Sequence, residues 1–345
     1  MKILITGGAG FIGSNFVHHV LARHRDDEVL VLDALTYAGN LENLADVADD
    51  PRYRFVRGDI ADRRLVDELM RDVAVVVNFA AESHVDRSIE DPAAFLHTNV
   101  DGALVLLDAA RRAGVRCFLQ VSTDEVYGSL GAEGHFTEAS PLAPSSPYAA
   151  SKAAADLLAL SFWKTYGLPV VVSRCSNNFG PYQFPEKVIP LFITNALADQ
   201  PLPLYGDGLN VRDWIYVDDH CAALDRIVRH GRAGEVYNVG AGNECTNRAL
   251  TELILGELGR PLELIRYVTD RLGHDRRYAL DASKLRRELQ WEPAHRFEDA
   301  LRQTVAWYRD TPSWWQRVKS GAYQTYYERM YGGRLQAAGE RRGHA

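Results

Sequence analysis

The chain has 345 residues, of which 39 are Lys or Arg and 46 are Asp or Glu, giving a formal net charge of −7. With 46% hydrophobic and 25% charged residues, it has the composition of an ordinary globular protein. A single small domain is excluded, because domains usually hold about 100–150 residues and single cores stop growing at roughly 250–300. The acidic balance and the lack of a basic block argue against a nucleic-acid-binding protein.

Membrane, metal and disulfide classes are also disfavoured. No segment approaches the ~18 uninterrupted apolar residues that span a bilayer. Residues 1–6 lead into glycines rather than into the apolar segment of a signal peptide, so we expect a cytoplasmic protein. The four cysteines are far apart and form no C-x-x-C pair, which predicts neither a metal site nor a disulfide framework: Cys117, Cys175, Cys221 and Cys245.

The first half of the chain alternates short apolar runs with segments of helical periodicity. Strands are predicted at 2–6, 29–32, 53–56, 73–79, 117–121 and 170–173, and a long helix at 149–166 that ends at Gly167. Parallel neighbours need a crossover helix, so this alternation predicts an α/β fold with a Rossmann-type doubly wound parallel sheet.

The rhythm breaks after residue 177. Glycines and prolines punctuate 178–215, which predicts loop-rich structure and the start of a second, smaller lobe at 178–331. Residues 235–240 again resemble a sheet strand, so the second lobe is predicted to interleave with the first, 1–177. The tail at 332–345 has no periodicity and is expected to be disordered.

A glycine turn follows the first predicted strand. Gly7, Gly10 and Gly13 keep the spacing G-x-x-G-x-x-G where the first helix opens, which suits a pyrophosphate approaching backbone N–H groups. Asp33 lies 20 residues beyond Gly13, at the end of the second strand, where its carboxylate can bind an adenosine ribose and repel a 2′-phosphate. NAD is therefore favoured over NADP. Asp59 is placed to meet the adenine or serves only as a turn residue.

Tyr148 and Lys152 lie four residues apart, on one face of a predicted helix. A tyrosine with an ordinary pKa of about 10 becomes a base near neutral pH only if its phenolate is stabilised by about 4 kcal/mol. Lys152 and an oxidised nicotinamide ring are the two positive charges expected to supply this stabilisation. Without the glycine turn, the simpler interpretation would be a surface pair.

With both motifs present, the chain resembles the extended short-chain dehydrogenase/reductase family. Within it, four further segments resemble the nucleotide-sugar dehydratases: 33–40, 81–88, 122–128 and 176–178. The segment 122–128 contains the adjacent carboxyls of Asp124 and Glu125. Like charges so close disfavour joint ionisation, so one carboxyl can remain protonated as an acid while the other acts as a base. A solvated turn is the alternative. The match runs from residue 1 to about 331.

The resemblance implies a three-stage reaction on dTDP-glucose with NAD as cofactor. Tyr148 takes the C4 hydroxyl proton as the C4 hydride leaves, Glu125 removes the C5 proton while Asp124 protonates the departing C6 hydroxyl, and the hydride returns to C6. Three alternatives stay open: a sugar-nucleotide 4-epimerase, which has no task for the acidic pair, a dehydratase acting on UDP-glucose, and a non-enzymatic NAD-binding protein.

The resemblance also assigns site residues. The implied catalytic residues are Thr123, Asp124, Glu125, Tyr148 and Lys152. The implied NAD contacts are Gly7, Gly10, Phe11, Ile12, Gly13, Asp33, Leu35, Thr36, Asp59, Ile60, Ala80, Ala81, Ser83, Thr98, Ser122, Tyr148, Lys152, Cys175 and Asn178. The implied substrate contacts are Ser83, His84, Thr123, Asp124, Glu125, Asn177, Glu186, Lys187, Val188, Pro203, Tyr205, Arg212, Asn247, Arg271, His274, Arg277 and Tyr278.

The sequence departs from the family pattern at two positions, and the resemblance also implies an oligomeric state. Leu272 stands where relatives often have proline, and Phe179 where they often have tyrosine, which bears on the shape of the nucleotide pocket. Arg276 belongs to the same arginine-rich segment, either over the base or as a surface loop residue. The family pattern implies a homodimer joined through the helices at 98–113 and 148–166. Coverage of these helices within one subunit is the alternative.

Overall fold

A sheet of seven parallel strands forms the centre of this computed structural model, which describes residues 1–320 and 322–340. The strands of the molecule are β1 (Lys2–Thr6), β2 (Glu28–Asp33), β3 (Tyr53–Arg57), β4 (Val75–Asn78), β5 (Cys117–Thr123), β6 (Val170–Cys175), β7 (Asn177–Phe179), β8 (Leu202–Tyr205), β9 (Val211–Tyr216), β10 (Val236–Val239), β11 (Glu244–Thr246) and β12 (Ile265–Val268). The central order β10-β6-β5-β4-β1-β2-β3 confirms the doubly wound prediction. β10 returns to this sheet, as expected from 235–240.

Helices connect the strands and cover both faces of the sheet. The α-helices are α1 (Phe11–Arg23), α2 (Arg63–Leu69), α3 (Val85–Glu90), α4 (Pro92–Leu96), α5 (Ala103–Ala113), α6 (Pro147–Tyr166), α7 (Val188–Leu197), α8 (Val217–His230), α9 (Asn247–Leu258), α10 (Ser283–Leu289), α11 (Phe297–Asp310), α12 (Pro312–Val318), α13 (Ala322–Tyr327) and α14 (Gly333–Glu340). In the part of the chain that the structure describes, none of them is long and apolar enough to cross a membrane.

Successive side chains of the buried strands point alternately into two hydrophobic cores, one on each face of the sheet. Ile3 and Ile5 of β1 pack with Phe16 of α1 on one face, whereas Leu4 packs with Phe118 and other residues on the opposite face. This period of two is what a strand with both faces covered requires. The sheet is therefore a rigid platform whose strand ends have fixed positions.

Two small sheets lie beyond the carboxyl ends of the central strands. β9 pairs in parallel with β7 and antiparallel with β11, and β8 pairs in parallel with β12. The expectation of loop-rich structure over 178–215 is incomplete, because α7, β8 and most of β9 lie there. Two of the prolines lie within these elements: Pro203 in β8, and Pro190 in the first turn of α7, where a missing N–H is tolerated.

Element ends differ from the sequence predictions at functional positions. α6 begins at Pro147 rather than 149, because the Ser146 hydroxyl accepts a hydrogen bond from the Ala149 N–H at 3.1 Å and proline suits a first turn. Tyr148 is thereby helical. β5 runs two residues further than expected, to Thr123. The predicted helix at 98–113 consists of a π-helical turn at His97–Gly102 followed by α5.

The tail prediction is wrong for the residues that the structure describes. A π-helical turn at Glu328–Gly332 leads into α14, which packs near β12. Tyr331 is buried and Arg334 donates a hydrogen bond from Nη1 to the Tyr205 hydroxyl at 2.7 Å. Contacts with distant residues order this segment, and its own sequence lacks a periodicity that would reveal them. Residues 341–345 lie outside the described chain.

Candidate active site

A cavity of about 420 Å³ opens at the carboxyl ends of the central strands, where doubly wound sheets bind their ligands. It is walled by the glycine turn, by the ends of β2, β4, β5 and β6, and by β8, β9 and the segment before α7. Every site residue predicted from the sequence lines this cavity except Leu35 and Arg277. The predicted residues therefore line one continuous cavity, whose two ends have different character.

The cofactor end is built by the glycine turn and by the end of β2. A Cβ atom on Gly13 would lie 2.2 Å from the Gly7 carbonyl oxygen, and Gly7 itself has a left-handed φ of 68°. Asp33 accepts hydrogen bonds from the Ala9 N–H at 2.9 Å and the Leu35 N–H at 2.8 Å. A close-packed backbone beside a fixed carboxylate fits the diphosphate and ribose of a dinucleotide.

Leu35 is a predicted cofactor contact that does not line the cavity. Its backbone is left-handed, with φ 53°, and its N–H is used by Asp33, while its side chain packs against the hydrophobic core. The cavity wall here consists instead of Thr36, Ala38 and Gly39. The sequence pattern does not separate Leu35 from the nearby Asp33, but the turn directs the Leu35 side chain towards the hydrophobic core.

β5 ends at a 3₁₀ turn, and this junction carries Thr123, Asp124 and Glu125. The Thr123 hydroxyl accepts a hydrogen bond from the Glu125 N–H and donates one to Asp124 Oδ1, both at 3.3 Å. Asp124 is only 2% exposed, whereas Glu125 is half-buried. All three line the cavity, so the turn brings two carboxyl groups with different surroundings to one wall.

Asp124 has the properties of a protonated carboxylic acid. Burial raises the pKa of Asp124 well above its ordinary value, and the negative charges of Glu125 and Asp213 raise it further. Its Oδ2 atom is buried and has no hydrogen-bond partner among the described residues. A buried carboxyl oxygen at a cavity wall, held neutral by its environment, is suited to donate a proton to a bound substrate.

Tyr148 and Lys152 meet at the same wall from the first turns of α6. Burial raises the pKa of Tyr148 well above its ordinary value, and the negative charge of Glu125 raises it further. The ammonium of Lys152 donates a 2.7 Å hydrogen bond to the Val121 carbonyl. Burial also lowers the pKa of Lys152.

A chain of hydrogen bonds fixes this part of α6. Asn99 donates from Nδ2 to the Ser151 hydroxyl at 2.8 Å and to the Glu82 carbonyl at 3.0 Å, and the Ser151 hydroxyl donates to the Tyr148 carbonyl at 2.7 Å. Sequence reasoning missed Asn99 and Ser151. Asn99 lies on the π-helical turn, where the widened backbone interrupts the periodicity that a sequence pattern would follow.

At the substrate end of the cavity, hydrogen bonds hold charged side chains in place. Lys187 donates from Nζ to the Ser83 carbonyl at 2.8 Å, and Glu186 accepts a hydrogen bond from Arg87 Nε at 3.2 Å. Burial lowers the pKa of His84 well below its ordinary value, and the positive charges of Lys187 and Arg87 lower it further. The imidazole of His84 is therefore neutral at physiological pH.

The arginine-rich segment divides into residues that face the cavity and residues that do not. Arg271 and Arg212 line the cavity, and Arg212 is oriented by the Val211 and Asp275 carbonyls at 2.7 and 2.9 Å. Arg277 does not line the cavity, and two hydrogen bonds of 2.7 and 2.9 Å hold its guanidinium on Glu244. Arg276 is exposed and pairs with Asp207.

Several cavity residues had no distinguishing signal in the sequence. Aromatic and acidic side chains complete the walls at Glu82, Phe184, Trp214 and Tyr331. Tyr331 is the last residue of the second lobe predicted at 178–331. Leu272 and Phe179 do not line the cavity: Leu272 is 78% exposed and Phe179 packs in the core.

A dinucleotide-type glycine turn joined to this tyrosine–lysine pair on a doubly wound sheet defines an enzyme of the extended short-chain dehydrogenase/reductase class. Residues 4–304 match the family model described as GDP-mannose 4,6 dehydratase, and the chain belongs to that family.

Individual relatives show the same match over nearly the whole chain. A dTDP-glucose 4,6-dehydratase from Streptomyces antibioticus is 56% identical over 324 residues, which cover 92% of this chain and 96% of that protein. The crystal structure of DesIV, a dTDP-glucose 4,6-dehydratase from Streptomyces venezuelae with NAD bound, has a TM-score of 0.91 and 55% identity, covering 92% of this chain and all of that one. A UDP-glucose 4-epimerase from Thermus thermophilus in complex with NAD has a TM-score of 0.84 and 34% identity, with coverage of 90% and 100%.

Proposed function

We propose that this protein is an NAD-dependent dTDP-glucose 4,6-dehydratase, which forms dTDP-4-keto-6-deoxyglucose and water. The observation that carries the proposal is the buried Asp124 carboxyl beside Glu125 at the cavity wall, facing the same space as Tyr148. An epimerase needs only the tyrosine and lysine, whereas loss of water needs an additional acid and base. The high identity to curated dTDP-glucose 4,6-dehydratases supports the same assignment and favours dTDP-glucose over UDP-glucose.

In the proposed reaction, different residues act at C4, C5 and C6 of the sugar. NAD, when bound, supplies a hydride acceptor for C4 and returns the hydride to C6, so that it ends unchanged. Tyr148 accepts the proton of the C4 hydroxyl, which Thr123 helps to orient, once the positive charges of Lys152 and of the bound oxidised nicotinamide stabilise its phenolate. The C4 ketone acidifies the C5 hydrogen, and Glu125 removes it as a proton. Asp124 donates its proton to the C6 hydroxyl, which leaves as water, and Glu125 then returns its proton to C5. The proton that Tyr148 took from the C4 hydroxyl balances the one that Asp124 lost, and its transfer restores both side chains.

The nucleotide diphosphate is assigned to the opposite end of the cavity. Arg212 and Arg271 provide guanidinium groups for the diphosphate oxygens, and Lys187 contributes an ammonium group. Asn247 and His274 line the same end and are assigned to the nucleoside. We place the boundary between a cofactor lobe and a nucleotide-sugar lobe after residue 177, with β10 returned to the cofactor sheet.

The proposal also includes a dimer and a compartment. Leu157 of α6 is 60% exposed, and Leu96, which lies on α4 just before the segment 98–113, is 54% exposed. Burial of such side chains in a helix bundle contributes about 1.5–3 kcal/mol each. We therefore propose a homodimer through the helices at 98–113 and 148–166. The four cysteines are free, and three of them are buried, which is typical of a reducing cytoplasm.

A product assay tests the reaction. The purified protein is incubated separately with dTDP-glucose, UDP-glucose and GDP-mannose, and the products are identified by mass spectrometry and NMR. We expect a 4-keto-6-deoxy product that forms fastest from dTDP-glucose. Formation of dTDP-galactose would establish an epimerase instead, and the absence of turnover with all three sugars would overturn the proposal.

A substitution of the base separates the stages. Glu125→Gln keeps the size of the side chain but removes the carboxylate, so we expect reduced nicotinamide to appear while water loss slows by about 10²–10⁴-fold. Stopped-flow absorbance follows the cofactor and mass spectrometry follows the sugar. The control is Glu133→Gln, at an exposed residue. If the Glu125 variant dehydrates at the native rate, the base is another residue.

A further inference from the structure

Arg87 makes an unusual set of contacts just outside the walls of the cavity. Its guanidinium carbon lies 4.0 Å from the ring centre of Tyr37 and 4.0 Å from the ring centre of Tyr326. Two rings at this distance from one carbon cannot share a face of the guanidinium without overlapping. Arg87 is therefore sandwiched between the two tyrosines, with both of its faces used in cation–π contacts.

The edge of the same guanidinium is also used. Arg87 Nε donates a hydrogen bond to Glu186 Oε2 at 3.2 Å, and Glu186 is nearly fully buried at the substrate end of the cavity. The Tyr37 ring packs edge-on against Phe184, with ring centres 5.6 Å apart, and Phe184 packs against Tyr323 at 5.8 Å. One arginine thus joins segments that are far apart in the chain.

Tyr37 belongs to the loop at 34–40, which follows β2 on the cofactor side. Thr36, Ala38 and Gly39 of this loop line the cofactor end of the cavity, whereas Tyr37 points to Arg87. The end of the loop is held by a 3.0 Å hydrogen bond from the Asn40 N–H to the Ala9 carbonyl. The middle of the loop is held by the Tyr37 side chain in the arginine stack.

We propose that Arg87 is a positioning residue that keeps the loop at 34–40 closed over bound NAD, with Tyr326 of α13 as the second half of the clamp. The inference rests on the proposed function in one respect: a reaction that removes a hydride and returns it needs the same NAD molecule to remain bound throughout. The clamp thereby links retention of the cofactor to α13 at the far end of the chain.

The test measures exchange of NAD rather than turnover. Wild type, Arg87→Lys, Tyr326→Leu and the control Tyr326→Phe are purified, and bound NAD is chased with excess isotopically labelled NAD and followed by mass spectrometry. A compact ammonium cannot stack on both rings, so we expect Arg87→Lys to exchange NAD about tenfold faster. Tyr326→Leu removes one face of the stack and should accelerate exchange severalfold.

The control separates the ring from its hydroxyl. The Tyr326 hydroxyl lies 3.2 Å from His84 Nδ1, and Tyr326→Phe removes this contact while it preserves the ring. Exchange in this variant should stay within about twofold of wild type. Equal acceleration in the Phe and Leu variants would assign the effect to His84 and overturn the clamp, as would wild-type exchange in Arg87→Lys.

Activity measurements exclude general damage to the site. With excess NAD present, turnover of Tyr326→Leu should return to within about twofold of that of Tyr326→Phe, which also lacks the hydroxyl contact to His84, because the clamp affects retention of NAD and not the chemical steps. If excess NAD does not restore turnover, the role of the stack is structural and the inference is wrong. A wild-type protein that retains NAD but forms no 4-keto sugar would contradict the proposed function while leaving the clamp intact.

Discussion

The cofactor side and the substrate side of the cavity are constructed in different ways. On the cofactor side, the functional groups lie at the ends of strands of one parallel sheet or directly after them, as at Gly7, Asp33 and Thr123. On the substrate side, they are supplied by short strands, loops and a C-terminal segment that meet through side-chain contacts. Positions on the cofactor side are thus fixed by backbone pairing, whereas those on the substrate side depend on particular long-range pairs.

This difference predicts where substitutions act. Changes at the strand ends should affect the chemical steps with little effect on nucleotide affinity, because the sheet holds the backbone in place. Changes on the substrate side should affect affinity first. Each of the following experiments compares a residue with a control of the same residue type that lies outside the cavity.

The largest effect is expected at Tyr148. Tyr148→Phe removes the hydroxyl that accepts the C4 proton, so kcat should fall by about 10²–10⁴-fold, while KM for dTDP-glucose and NAD content stay near their wild-type values. The control is Tyr166→Phe, at the exposed end of the same helix. Steady-state product formation measures both variants, and a fall in kcat of less than tenfold for Tyr148→Phe would mean that another group accepts the proton.

A smaller effect, on affinity, is expected at Arg212. Two backbone carbonyls orient its guanidinium, and its carbon lies 4.3 Å from the ring centre of Tyr278. Arg212→Lys keeps the charge but loses the planar fork, so KM should rise by roughly 10–100-fold with kcat nearly unchanged. Arg276→Lys, at the exposed arginine paired with Asp207, should change KM less than about twofold. Equal effects in the two variants would remove the distinction between the two sides.

The difference between the cofactor side and the substrate side also explains which features could be predicted from the sequence. The doubly wound sheet, the glycine turn and the residues after the strands follow from local periodicity and spacing, and the structure places nearly all of them in one cavity. Arg277 could not be separated from Arg271 by sequence, because only the pairing with Glu244 removes it from the site. Tyr331 was missed for the same reason, since distant contacts order the segment that carries it.

For Asp124, the position follows from the sequence, because the residue comes directly after β5. Its protonation state does not, because that depends on burial in the folded protein. A carboxyl whose pKa is raised in the folded state is protonated in both states below about pH 4 and has no effect on stability there. Above that pH the folded state retains a proton that the unfolded state releases, so Asp124 lowers the free energy of unfolding increasingly as pH rises towards its folded pKa.

Asp124→Asn should therefore trade activity for stability. Asparagine does not titrate, so Tm at neutral pH should rise by a few °C, and the gain should vanish below about pH 4, while dehydration slows strongly. Thermal unfolding from pH 3 to 8 measures the gain, with the exposed Asp101→Asn as a control that should follow wild type. A gain that does not depend on pH would indicate improved packing rather than relief of a buried acid, and would remove the physical reason for assigning the proton donor to Asp124.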